Sequence, residues 1–85
     1  ILYHTIVIYY TNRYTVIMKS ESRRLGENLK RIRTEKDISQ GDIARELGVD
    51  RGFISTIENG KTNPTLATIA KLAKALNVSS DKLLK

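Results

Sequence analysis

The segment 40-QGDIARELGVDRGFISTIEN-59 reads as two short helices joined by a tight turn. In its first half Ile43, Ala44 and Leu47 form one apolar face. Ser39, just ahead of it, pairs with Asp42 as a capping box, the hydroxyl accepting from the amide three residues on. Gly48 ends this helix and provides the positive φ that a turn requires. Asp50 caps the next helix, in which Ile54 and Ile57 point inward at i, i+3, and Gly60 closes it. Ala44 is small where the second helix must cross the first. Each of these features is weak alone. Ala44, Gly48, Ile54 and Ile57 at these mutual spacings specify two helices that cross closely.

Working outward, Leu25, Leu29 and Ile32 recur at i, i+4 and i+7 and predict a helix from about Ser22 to Lys36. Arg24, Lys30, Arg31, Glu27 and Glu35 fall mostly on its other faces as solvated charge. Asp37 is its expected stop, since Asp tolerates a left-handed C-terminal position better than most residues. Downstream, Asn63-Pro64 breaks the chain and Thr65 caps a fourth helix with the stripe Leu66, Ile69, Leu72, Ala73 and Leu76. Asn77 stops that helix, and Ser79 caps a short last one holding Leu83 and Leu84. None of these helices is long enough to be stable in isolation, so packing must hold them. The expected fold is all-α, five short helices around one core of Leu, Ile and Ala.

The chain has 85 residues, one domain at most, and no cysteine, which removes disulfides and thiolate chemistry. The single histidine, His4, has no partner at ligand spacing, so neither a metal nor another cofactor is expected. The formal charge is +6. It is concentrated from Met18 onward, where fourteen of the 15 bases and all 9 acids lie, a balance of +5. A basic balance favours a polyanionic partner without bearing on the fold.

Residues 1–20 read as an N-terminal extension and residues 21–85 as the helical domain. The opening ILYHTIVIYYTNRYTVI suits a pleated surface, with Thr11-Asn12-Arg13 turning one strand into another. It has no positive n-region or small-residue cleavage site for a signal peptide. At this length, interrupted by Asn12 and Arg13, it does not span a bilayer. Two readings stay open: a strand pair that adds to a partner chain, or a tail foreign to the natural protein, since Met18 is the sole methionine.

Residues 22–84 resemble a Cro/repressor-type helix-turn-helix domain, also called lambda-repressor-like or XRE-type. The resemblance rests on LKRIRTEKDISQGDIARELGV, FISTIENGKTNP and LATIAKLAKALNVSSDKLL, about three quarters of the chain. It implies a five-helix fold that binds double-stranded operator DNA, usually as a homodimer, and controls transcription. Asp37 departs from the glycine common in the family, and Gly52 is unusual where the family presents a side chain to the bases.

On the helix after the turn, Arg51, Gly52, Ser55, Thr56 and Asn59 share the face opposite Ile54, Ile57 and Glu58. Such a helix lies in the major groove with its N-terminal residues nearest the base edges. Arg51 is then the expected reader of guanine through its planar fork, with Ser55 and Thr56 beside it and Gly52 permitting close approach. By the resemblance, Gln40 binds a phosphate and braces the reading helix. Asn59, Lys61, Thr62 and Asn63 are expected to meet the sugar–phosphate backbone, setting affinity and register. The family also pairs an acid at the position of Glu58 with an arginine at that of Arg33, which implies a partly buried ion pair here.

The expected function is sequence-specific control of transcription by a cytoplasmic, nucleoid-associated dimer, with no membrane role. Two rival readings keep the fold: an antitoxin or adaptor that grips a protein partner, and a controller of a restriction–modification gene pair. An enzyme is not expected. The sequence offers no nucleophile–base pair, phosphate loop or metal set.

Overall fold

The computed structural model of the protein describes residues 21–85, whose backbone forms five helices. Helix α1 covers residues 21–35. It is followed by α2 (Gln40–Leu47), α3 (Arg51–Glu58), α4 (Leu66–Leu76) and α5 (Ser80–Leu84). Among the described residues there is no strand. The strand pair expected over residues 1–17, and the boundary of the N-terminal extension at residue 20, lie outside them.

The first four helices end in the same way, on a residue in the left-handed region: Asp37 (φ 60°), Gly48 (φ 71°), Gly60 (φ 69°) and Asn77 (φ 58°). At each, two amides fold back onto the last turn. Ile38 N–H donates to the Arg33 carbonyl at 3.0 Å, Val49 to Ala44 at 2.9 Å, Lys61 to Thr56 at 3.1 Å and Val78 to Ala73 at 3.0 Å. These are Schellman closures, and they satisfy carbonyls that a bare helix end would leave without partners.

Glycine enters the left-handed region without strain, whereas Asp37 and Asn77 hold a Cβ against the following carbonyl. Asp37→Gly and Asn77→Gly are therefore each expected to raise stability by roughly 0.5–1 kcal/mol, relief of strain exceeding the entropy that glycine adds to the unfolded chain. Urea unfolding midpoints check this; a lower midpoint in both variants would show that these ends are unstrained.

The helix starts are less uniform. Ser39 Oγ accepts from Asp42 N–H at 3.0 Å, and Asp42 Oδ2 accepts from Ser39 N–H at 3.2 Å, so the capping box is complete. The Ser39 bonds, helped by Arg45, hold the Asp42 carboxyl below its usual range. Its contribution to stability is thus complete above the ordinary Asp range and is lost as pH falls through the lowered value. Thr65 Oγ1 caps α4 by accepting from Thr68 N–H at 3.2 Å. Asp50 and Ser79 have extended N-cap backbones but make no side-chain cap bond. The first turn of α3 closes through the backbone, Phe53 N–H donating to the Asp50 carbonyl at 3.0 Å. The Ser79 hydroxyl donates to the Asp81 carboxylate instead.

One core joins all five helices: Leu25, Leu29 and Ile32 of α1, Ile43 and Ala44 of α2, Ile54 and Ile57 of α3, Ile69, Leu72, Ala73 and Leu76 of α4, and Leu83 of α5. Phe53 packs against its edge. Two positions depart from the expected stripes. Leu66 is 78% exposed and Leu84 47% exposed. Helical side chains lean towards the N-terminus, so Leu66, at the first position of α4, projects past the end of the core. In α5 only one face meets the core, and Leu83 occupies it.

Two further contacts fix α1. A Cβ on Gly26 would lie 2.4 Å from the Ile57 carbonyl oxygen and 2.6 Å from that of Glu58, so the backbone at the end of α3 rests against a bare Cα. Asn28, buried, donates from Nδ2 to the Leu83 carbonyl at 2.9 Å and ties α1 to α5. Asn28 Oδ1 in turn accepts from Arg31 Nη2 at 3.2 Å.

Candidate nucleic-acid interface

The turn at Gly48 sets α3 across α2 at Ala44, which is 3% exposed and leaves room for the crossing. Ile54 and Ile57 are fully buried under α3. Arg51, Gly52 and Asn59 are exposed on its far face, with Ser55 and Thr56 half-buried between them.

A chain of polar bonds runs behind that face. Arg33 Nε donates to Glu58 Oε2 at 2.6 Å and Nη2 to Oε1 at 3.1 Å, a two-pronged ion pair. The side chains are 14% and 3% exposed respectively. Arg33 Nη1 also donates to the Ile38 carbonyl at 2.9 Å, holding the loop between α1 and α2. Gln40 Nε2 donates to Glu58 Oε1 at 2.9 Å, and Gln40 Oε1 accepts from Arg51 Nε at 3.4 Å. One network thus links α1, the start of α2 and both ends of α3.

The network limits what each outward group can do. With Nε turned to Gln40, Arg51 keeps its two terminal nitrogens for an outside acceptor, an end-on fork. Thr56 Oγ1 donates to the Gly52 carbonyl at 2.8 Å. Its proton is used, so Thr56 offers an acceptor and a methyl group. Ser55 Oγ accepts from Asn59 Nδ2 at 3.3 Å and retains a proton to donate.

Beside Arg51, a polar cleft opens at the start of α2, lined by Arg33, Ser39, Gln40, Gly41, Arg45 and Arg51. The first amides of a helix have no intrahelical acceptor and suit an anion. Ser39 takes the Asp42 amide, and Gln40 and Gly41, the first two residues of α2, line this cleft. Gln40 keeps one amide proton beyond the one given to Glu58. Gly41 and Arg45 were not singled out by sequence, although a glycine at the first turn after a capping serine is a legible signal of an open helix start.

Past α3, Lys61 and Asn63 are exposed and Thr62 is half-buried. Asn63 is partly committed, because its Oδ1 accepts from Ser22 Oγ of α1. That bond pins the loop to α1 and leaves the Asn63 amide group for an outside partner. Among the described residues no group of three or more His, Cys, Asp or Glu could hold a metal. No described helix is long and apolar enough to cross a membrane.

A sequence profile of the helix-turn-helix family matches residues 29–83, well over half of the chain. The chain belongs to the helix-turn-helix family. It is an XRE-type member, and its relatives are DNA-binding regulators of transcription. It is 39% identical over 61 residues to control protein C.MunI of Mycoplasma sp, covering 71% of this chain and 82% of that one. Its fold is similar to that of the restriction–modification controller protein C.AhdI from Aeromonas hydrophila, with a TM-score of 0.72 and 34% identity over 75% of this chain and 97% of that one. It is also similar to controller protein C.Esp1396I, solved as a tetramer with its natural 35 base-pair operator, with a TM-score of 0.64 and 30% identity over 75% and 95% of the two chains.

In this helix-turn-helix regulator the glycine on the exposed face of α3 stands out. A Cβ on Gly52 would meet nothing within 4 Å, so packing within the described residues does not demand it. Gly52→Ala is expected to raise stability by roughly 0.5–1 kcal/mol, the difference between the two residues inside a helix. If the missing side chain lets DNA approach, the same variant binds duplex more weakly than the parent. Thermal melts and duplex titrations on one preparation separate the two effects; tighter binding by the alanine variant would remove any role for the gap.

Proposed function

We propose that the protein is a sequence-specific operator-binding regulator that lays α3 in the major groove and acts as a homodimer. The observation that carries this reading is Arg51. Its terminal nitrogens face outward from the start of an exposed helix, among Gly52, Ser55 and Thr56, beside the open N-terminus of α2. Arg51 would read guanine O6 and N7, a contact worth roughly 1–3 kcal/mol of discrimination. Ser55 would donate to a base acceptor, while Thr56 would accept from a base amine or pack on a thymine methyl.

Gln40, Asn59, Lys61, Thr62 and Asn63 would grip phosphates on either side. A pair of domains would place two α3 helices on half-sites ~34 Å apart. Leu66 and Leu84 are exposed apolar side chains that a second copy or another protein would cover. Binding rather than catalysis would be the whole activity, exerted on the nucleoid in the cytoplasm.

Selection from a randomised duplex pool tests the reading, followed by titration of the selected and scrambled duplexes at matched salt. Arg51→Ala is expected to lower the ratio of specific to non-specific affinity by roughly 5- to 150-fold, the equivalent of one guanine contact. Lys61→Ala is expected to weaken both duplexes alike and to reduce the salt slope by about 1. A pool that yields no preferred sequence would end the sequence-specific reading.

A controller of a restriction–modification gene pair is the second reading, favoured by the likeness to C.MunI and C.AhdI over most of the length of each. A controller would activate transcription as well as repress it. Transcription from both flanking promoters, measured against protein concentration, distinguishes it from a plain repressor.

A further inference from the structure

We propose that Glu58, buried and remote from the exposed face of α3, is a positioning residue for base reading, and that it acts through Gln40 on Arg51. The proposal rests on the reading of Arg51 given above and deepens it. An amide side chain can turn either its oxygen or its NH2 towards a neighbour, and nothing at the surface of α2 would choose between them. Glu58 chooses. Its carboxylate accepts only, and Arg33 holds it in place through two bonds of 2.6 and 3.1 Å. Gln40 must therefore present NH2 to Glu58, at 2.9 Å, and its oxygen is left facing Arg51 Nε at 3.4 Å. The reversed amide would set a carbonyl against a carboxylate and an NH2 against a guanidinium, unfavourable on both sides.

The consequence is a preset Arg51. With Nε occupied by Gln40, the rotation of the guanidinium is restricted and the Nη1–Nη2 edge faces outward before DNA arrives. Ordering a long side chain in advance spares part of the entropy that binding otherwise loses. The benefit falls on the specific complex, where the fork must be aligned, more than on the non-specific one, where any orientation of the charge serves. An ion pair that looks purely structural thus also bears on discrimination.

The test compares the parent protein with Gln40→Met, Glu58→Gln and Arg51→Ala, and with each of the first two combined with the third. Gln40→Met keeps the Arg33–Glu58 pair and so keeps the fold even where Glu58→Gln weakens it. In the free protein, proton-detected spectra of arginine side chains are expected to show slow exchange for Arg33 Nε–H in the parent and in Gln40→Met. Exchange at Arg51 Nε–H is expected to speed up in Gln40→Met and in Glu58→Gln. On the selected and scrambled duplexes, both variants are expected to lower the affinity ratio by roughly 3- to 10-fold, less than the loss of the whole guanine contact. Neither should lower it further in the Arg51→Ala background.

Because Glu58 reaches Arg51 through Gln40, an unchanged ratio in Gln40→Met overturns the proposal. So does a loss that is fully additive with Arg51→Ala, or an Arg51 Nε–H that exchanges alike in all proteins. If instead Arg51→Ala itself leaves the ratio unchanged, the base-reading assignment fails, a result distinct from failure of the relay.

Discussion

Gly26→Ala is expected to destabilise the domain by about 3 kcal/mol, the upper end of the usual cost of overpacking. Helix propensity alone points the other way, since alanine inside a helix is favoured over glycine by about 1 kcal/mol. The structure reverses the sign. The added Cβ would lie 2.4 Å from Ile57 O, 2.6 Å from Glu58 O and 2.9 Å from the Glu58 carbonyl carbon. All three are backbone atoms, so no change of rotamer relieves the clash, and the end of α3 must move away from α1. That movement would also disturb Gly60, where an added Cβ would lie 3.0 Å from the Arg23 Cα, and the Arg33–Glu58 bonds. Urea unfolding with a common m-value reads the loss. A variant as stable as the parent would show that α1 and α3 can separate without penalty.

Glu58→Ala is expected to have the largest effect, about 3–5 kcal/mol, the range for removing one partner of a buried pair. Against the 5–15 kcal/mol typical of a folded domain, that is a large share. The cost arises because Arg33, 14% exposed, would keep its charge with only the Ile38 carbonyl as acceptor, while Gln40 would lose its anchor. Attraction alone would not justify the figure, since desolvation of both ions offsets much of it. For the same reason the double change Arg33→Met with Glu58→Met is expected to cost less than Glu58→Ala alone. Chemical denaturation of the three proteins decides the matter. Equal losses in the single and double variants would mean that the pair acts through packing rather than charge.

The five helices were legible in the sequence because their signals are local. Apolar spacing in Leu25–Leu29–Ile32 and Ile69–Leu72–Leu76, the capping box at Ser39 and the left-handed stops at Asp37, Gly48, Gly60 and Asn77 each depend on a few neighbouring residues. The family's motif was legible on the same basis, as was the outward face of α3. Leu66 was misplaced because periodicity does not show where the core ends. The cap expected from the Asp50 side chain is absent because one cap position can be closed by the backbone alone.

What the sequence by itself determined is therefore the set of helices, their order and the family they belong to. An isolated glycine within a helical pattern, as at Gly26, does not reveal what packs over it. Only the tertiary structure decided that the carbonyl edge of α3 packs there, that Asn28 bonds the last helix, and that Asn63 is held by Ser22. It also decided that Gln40 bonds both Glu58, within the ion pair to Arg33 that the family resemblance implies, and Arg51. The reason is physical. Spacing along the chain fixes which residues share a face, whereas the direction of an amide or the clearance over a Cα is set by atoms that come from elsewhere in the chain.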